Sequence, residues 1–76
     1  MEIELRDLRY FLAVAQQESI TKAAEYLFIA QPSLSRRMQK LESELNSLLF
    51  VRGSRTVTLT QAGELTKKRA AAIRQL

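Results

Sequence analysis

Pro32 restricts this chain more than any other single residue. Its fixed φ and missing N–H suit the first turn of a helix, so a helix has to begin there. Upstream, Ser19 is a natural N-cap, because its hydroxyl accepts from a backbone N–H that the helix leaves unpaired. Ile20, Ala23, Ala24 and Leu27 then recur at i, i+3, i+4 and i+7. Downstream, Leu34, Met38, Leu41 and Leu45 make a narrow apolar stripe. Two short amphipathic helices are therefore predicted, joined at a corner of Phe28, Ile29 and Ala30. Ala24, Ile29 and Leu34 supply the small residue, the buried corner residue and the first core residue that a helix-turn-helix needs. None of these is informative alone, but the set together with Pro32 is. The stretch from Ile20 to Leu41 reads as such a motif, with the helix over 32–45 offered to the major groove of DNA.

The polar residues of that second helix are placed to match. On a helical wheel Arg36 points most directly away from the apolar stripe, with Gln39 and Lys40 to either side. Ser33 and Ser35 lie further round, and Arg37 is nearest the stripe. Arginine pairs bidentately with guanine, and serine contacts bases or phosphates. Glu42 and Glu44 bring negative charge back and would repel phosphates, which confines the expected DNA face to the N-terminal half. A second reading stays open at this point: a solvated face laced with local ion pairs such as Lys40 with Glu44. Thr21 and Lys22, in the first turn of the preceding helix, are within reach of a phosphate, although Lys22 serves equally well as a plain surface charge.

The rest of the chain reads as support. A first helix is predicted over 5–17, with Leu5, Leu8, Leu12 and Ala15 on one face and Phe11 at its edge, and with Tyr10 and Val14 on another side. A helix apolar on two faces has to be covered twice, here by the helix-turn-helix and by the last helix. Asn46, which tolerates the left-handed conformation, is expected to end the second helix of the motif. Leu49-Phe-Val-Arg52 and Thr56-Val-Thr-Leu59 flank Gly53-Ser54-Arg55 and predict a small β-hairpin over 49–59. Arg52 and Arg55 make its tip basic. A basic hairpin after a helix-turn-helix is a wing whose arginines enter a minor groove or hold the backbone; the plainer reading is a hairpin with soluble charges. Thr60 is the expected N-cap of a last helix, and Gly63 implies a close backbone approach. Ala62, Leu65, Ala72, Ile73 and Leu76 share a stripe interrupted by Arg69. An apolar stripe running to the last residue leads to the expectation that this helix continues, packs against a second copy, or both.

Composition narrows what such a chain can do. Its 76 residues make one small domain, and Lys and Arg outnumber Asp and Glu by 12 to 8, a net charge of +4 that favours a polyanionic partner. With no cysteine or histidine, disulfides and the usual zinc sites are excluded and the common nucleophile and base pairs are missing. No Gly-rich phosphate loop or convergent polar cluster is present, so no enzyme, metal or cofactor is expected. The longest apolar run, Tyr10 to Ala15, is too short to span a bilayer, and the acidic N-terminus does not resemble a targeting signal, so a cytoplasmic protein is expected.

As an ordered set, Leu8-Arg-Tyr-Phe11, Ser19-Ile-Thr-Lys-Ala-Ala24, Gln31-Pro-Ser-Leu-Ser35, Leu41-Glu42, Leu49-Phe50, Arg52 and Leu59-Thr-Gln-Ala-Gly63 are highly specific. They resemble the N-terminal DNA-binding domain of a LysR-type bacterial transcriptional regulator, over essentially the whole chain. The resemblance implies a mainly α winged helix-turn-helix over 1–60: a three-helix core, a β-hairpin wing, and then at 61–76 the start of a linker helix that pairs two subunits. It assigns DNA contact to Gln31, Pro32, Ser33, Ser35, Arg36 and Arg37 and to the wing residue Arg52. It further implies double-stranded operator DNA as partner, a homodimer or tetramer, and a small-molecule effector bound by a separate domain that is absent here. Three positions depart from the family pattern: Ala30 where Ser or Thr is frequent, Glu18 where Gly is common, and Asn46 where Gly is usual.

Taken together, Gln31, Ser33, Ser35 and Arg36 are expected to face bases or adjacent phosphates and Thr21 to reach a phosphate, with Arg37, Lys40, Arg52 and Arg55 mainly holding the backbone. Leu65, Ala72, Ile73 and Leu76 are expected at a dimer interface. The competing function is a helical protein-interaction module with an incidental basic face. It would bind its partner at high salt and fail when Ile73 or Leu76 is made polar.

Overall fold

The computed structural model describes residues 3–51 and 56–73. Its helices are α1 (Leu5–Gln17), α2 (Ile20–Leu27), α3 (Gln31–Leu45) and α4 (Gln61–Ala71). α1 lies centrally and touches each of the other three, while α2 also packs on α3. The double covering expected of α1 is thus present, from the α2–α3 pair and from α4.

The core is built from Phe11 and Val14 of α1, Ala23 and Ala24 of α2, and Leu34, Met38 and Leu41 of α3, with Leu49 and Phe50 beyond α3. The small side chains at 23 and 24 let α3 cross α2 closely, and Ile29 packs against this cluster from the corner. The apolar stripe read on α3 faces inward as expected. That on α1 does so only in part: Ala15 is buried and Leu8 and Leu12 pack half-buried against the core, but Leu5 is exposed and the fully buried line runs through Asp7, Phe11 and Val14. With neighbours on several sides, the largest ring takes the centre of the helix face, and Phe11 packs at 5.6 Å from the Phe50 ring.

Three helices stop in the left-handed conformation, at Glu18 (φ 53°), Phe28 (φ 59°) and Asn46 (φ 54°). Asn46 does what its residue type suggested. Glu18 and Phe28 fill places that suit glycine and hold a conformation costing roughly 1–2 kcal/mol for an ordinary side chain. Backbone bonds over-determine both. The Glu18 amide donates to Val14 O at 2.9 Å, and its carbonyl accepts from Val57 N at 3.0 Å. At the corner, Phe28 N and Ile29 N donate to Glu25 O (3.2 Å) and Ala24 O (3.0 Å). α1 therefore ends at Gln17 as expected, despite the absence of glycine at 18.

α3 starts one residue before the predicted Pro32, at Gln31, and Ala30 is its N-cap without a side-chain hydrogen bond. Ser19 and Thr60, by contrast, accept from Lys22 N and Gly63 N, each at 3.0 Å. Ala30→Ser should supply the missing acceptor and raise the unfolding free energy by about 1 kcal/mol, read by urea denaturation.

Beyond α3, the two predicted strands meet only briefly among the described residues: one antiparallel bridge pairs Phe50 with Leu59. Val51 N donates to Thr58 O at 2.8 Å and Thr60 N to Leu49 O at 3.0 Å. The predicted tip, with Arg52 and Arg55, lies outside the described residues. Gly63 meets the close approach expected of it, since a Cβ there would overlap the Leu49 carbonyl oxygen.

Candidate nucleic-acid interface

Two helix N-termini are brought together at one surface. Thr21, in the first turn of α2, donates from Oγ1 to Gln31 Oε1 at 3.1 Å, joining it to the first residue of α3. Thr21, Gln31, Pro32 and Arg36 are exposed, and Ser33 and Ser35 are half-buried beside them. Arg36 Nη2 makes a long bond, 3.4 Å, to Ser33 Oγ. An uncharged partner at that distance leaves the guanidinium its full charge and most of its donors. In place of the hydroxyl cap that Ala30 lacks, Gln31 offers no cap bond either; its side chain is spent on Thr21.

The other cations of α3 are differently placed. Lys40 Nζ lies 3.3 Å from Glu44 and 3.8 Å from Asp7 Oδ2. The local ion pair considered for this helix therefore exists, one turn apart on its surface, alongside the exposed Arg36. Arg37 Nη1 donates to Asp7 Oδ1 at 3.0 Å and stands 3.8 Å from Glu4, with its guanidinium carbon 5.8 Å from the centroid of the Tyr10 ring. Asp7 is fully buried. An open cleft of about 410 Å³ is lined by Glu4, Arg6, Ser33, Arg36, Arg37 and Lys40. It joins the start of α1 to the polar face of α3.

Glu42 corrects the sequence reading. It was expected to bound the DNA face by repulsion, yet its side chain is buried and Oε2 accepts from Leu49 N (2.7 Å) and Phe50 N (3.3 Å). It fastens the root of the wing to α3, and only Glu44 leaves part of its charge near the surface. Asp7, Glu4 and Arg6 were also missed as neighbours of this face. A signal for Asp7 was available: it stands four residues before Phe11 and seven before Val14, on the core line of α1. Of the residues expected at a dimer interface, Leu65, Ala72 and Ile73 are exposed, and Leu76 lies outside the described residues. Ala72 caps α4 and Ile73 follows it, so neither stands within the helix itself.

A short capped helix, a left-handed corner and a longer basic helix with an accessible N-terminus, followed by a paired arm and a further helix, define a winged helix-turn-helix protein. Residues 5–64 match the family model described as "Bacterial regulatory helix-turn-helix protein, lysR family", and the chain belongs to that family. It is 57% identical over 61 residues to the HTH-type transcriptional regulator BenM of Acinetobacter baylyi, covering 80% of this chain and 20% of that protein. It is 51% identical over 71 residues to the Hca operon transcriptional activator HcaR of Escherichia coli, covering 93% of this chain and 24% of that protein. The chain thus spans about a fifth to a quarter of the length of these relatives. Its structure superimposes with a TM-score of 0.92 on the BenM DNA-binding domain in its complex with benA site 1 DNA, at 49% identity, covering 96% of this chain and 85% of that one. Among the described residues no acidic cluster suits a metal ion, and no helix is long and apolar enough to cross a membrane.

Proposed function

We propose that this domain binds double-stranded DNA sequence-specifically, with the N-terminal half of α3 in the major groove. The observation that carries the reading is the exposed surface of Thr21, Gln31, Pro32 and Arg36, with Ser33 and Ser35 beside them, at two adjoining helix N-termini. Such termini favour phosphate, and an arginine with free donors suits guanine. The likeness to a domain solved on DNA supports this reading. Arg36 reads base edges, Gln31, Ser33 and Ser35 face bases or phosphates, and Lys40 and the wing arginines Arg52 and Arg55 hold the backbone. In the whole regulator, a homodimer forms through Leu65, Ala72, Ile73 and Leu76, and a separate domain binds a small-molecule effector in the cytoplasm.

Selection from a random DNA pool with this domain should return a defined half-site. On that site and on scrambled DNA, Arg36→Ala should abolish most of the preference. Lys40→Ala should weaken both equally and flatten the salt slope by about one unit. Equal loss on both duplexes for Arg36→Ala would remove its assigned role, and a pool that returns no preferred sequence would refute specific binding. The exposure of Leu65 and Ile73 favours protein association as an added property, not a substitute, because it lies on and just after α4 while the basic face lies on α3.

A further inference from the structure

We propose that Asp7 is a positioning residue that withholds Arg37 from DNA, leaving Arg36 as the arginine of α3 that reads it. The inference rests on the DNA-binding reading above and removes Arg37 from the set of backbone contacts. Arg36 and Arg37 are neighbours in sequence and line the same cleft, yet their surroundings differ completely. Arg36 is exposed and, among the described residues, bonds a serine hydroxyl at 3.4 Å. Arg37 is held by a direct 3.0 Å bond to the carboxylate of Asp7, by Glu4 at 3.8 Å, and by the face of Tyr10.

Burial decides which anion wins. Asp7 is fully buried, so its carboxylate has no water to fall back on, and its Oδ2 has no hydrogen-bond partner of its own. Pulling Arg37 away would leave that charge facing Lys40, 3.8 Å distant. A DNA phosphate offers Arg37 a partner in high dielectric, where the same attraction is several-fold weaker. The bond to Asp7 therefore persists, and the charge of Arg37 is spent inside the protein. Since no condensed counterion is displaced by a neutralised arginine, Arg37 adds nothing to the salt dependence of binding. What Asp7 gains for the domain is discrimination: one cation fewer for every sequence alike, with α3 tied to the start of α1 at a fixed angle.

The test is the salt slope for a short labelled duplex of scrambled sequence, measured for the wild-type chain, Arg37→Gln, Asp7→Ala and the double variant. Arg37→Gln alone leaves the Asp7 carboxylate to draw on Lys40, 3.8 Å away, and should flatten the slope by at most about one unit, so the neutral comparison is the double variant, which removes both charges of the pair. Asp7→Ala frees Arg37 beside Arg36 and should steepen the slope by about one unit, and adding Arg37→Gln should return it to the wild-type value. A purely structural role for Asp7 would lower stability without moving the slope. If Asp7→Ala does not fold by circular dichroism, Asp7→Leu, which fills the space without an acceptor, is measured in its place. A double variant with a slope flatter than the wild type, or an unchanged slope in both Asp7 variants, overturns the proposal. Failure of the wild-type chain to bind any duplex would instead overturn the reading on which it rests.

Discussion

Gly63→Ala should lower the unfolding free energy by about 2 kcal/mol or more, although alanine is the better helix former. In an open helix the exchange would stabilise by roughly 1 kcal/mol through propensity. Here the added methyl would overlap the carbonyl oxygen of Leu49, and it would also lie 3.1 Å from the Leu49 carbonyl carbon and 3.2 Å from Leu59 Cβ. Overpacking against side chains costs typically 1–3 kcal/mol, and here the obstacle is backbone that cannot rotate aside. That carbonyl is also the acceptor for Thr60 N, while Thr60 Oγ1 donates to Leu48 O and accepts from Gly63 N. Moving Leu49 therefore loosens the cap of α4 and the Phe50–Leu59 bridge together. Urea denaturation gives the energy, and amide exchange at Thr60 shows whether the loss starts there; a variant as stable as the parent would mean the contact is not this close in solution.

The second large effect is expected at Glu42. Glu42→Ala removes the acceptor of two backbone amides, Leu49 N and Phe50 N, in a buried setting. Each orphaned donor costs about 1–3 kcal/mol, so a loss of about 3 kcal/mol is expected, with the Leu49 and Phe50 amides exchanging faster. Glu42→Gln keeps an oxygen in place and should lose only about 1 kcal/mol, the difference between a charged and a neutral acceptor. If Ala and Gln cost the same, the carboxylate matters for its charge and not for the two amides.

These sites show why some of the architecture was readable from the sequence and some was not. The helix-turn-helix followed from local rules: Ser19 and Thr60 as caps, Pro32 in a first turn, apolar residues recurring on α2 and α3. Each rule concerns residues within a few positions of one another. Gly63 was readable for a related reason, since a glycine in a helix needs a tertiary cause. The roles of Asp7, Glu42 and Arg37 depend on contacts across 30 residues for Asp7–Arg37 and on chain reversal for Glu42, which no helical wheel contains. Glu42 looked like a surface carboxylate because Glu usually is one. Asp7 lay unnoticed among leucines, although its spacing to Phe11 and Val14 placed it on the inner face.

The carboxylate of Glu42 has a consequence for how the molecule would meet a duplex. By gripping the chain just where it leaves α3, it makes the recognition helix and the root of the wing a single caliper with fixed jaws. Val57, bonded to the carbonyl of Glu18, pins the returning arm to the α1–α2 junction as well. In the proposed complex, a mismatch between the caliper's gap and the spacing of the two points of contact on the duplex would be taken up by bending or narrowing the duplex. Base pairs lying between the two points of contact would then be selected for their pliability, though no side chain ever touches them.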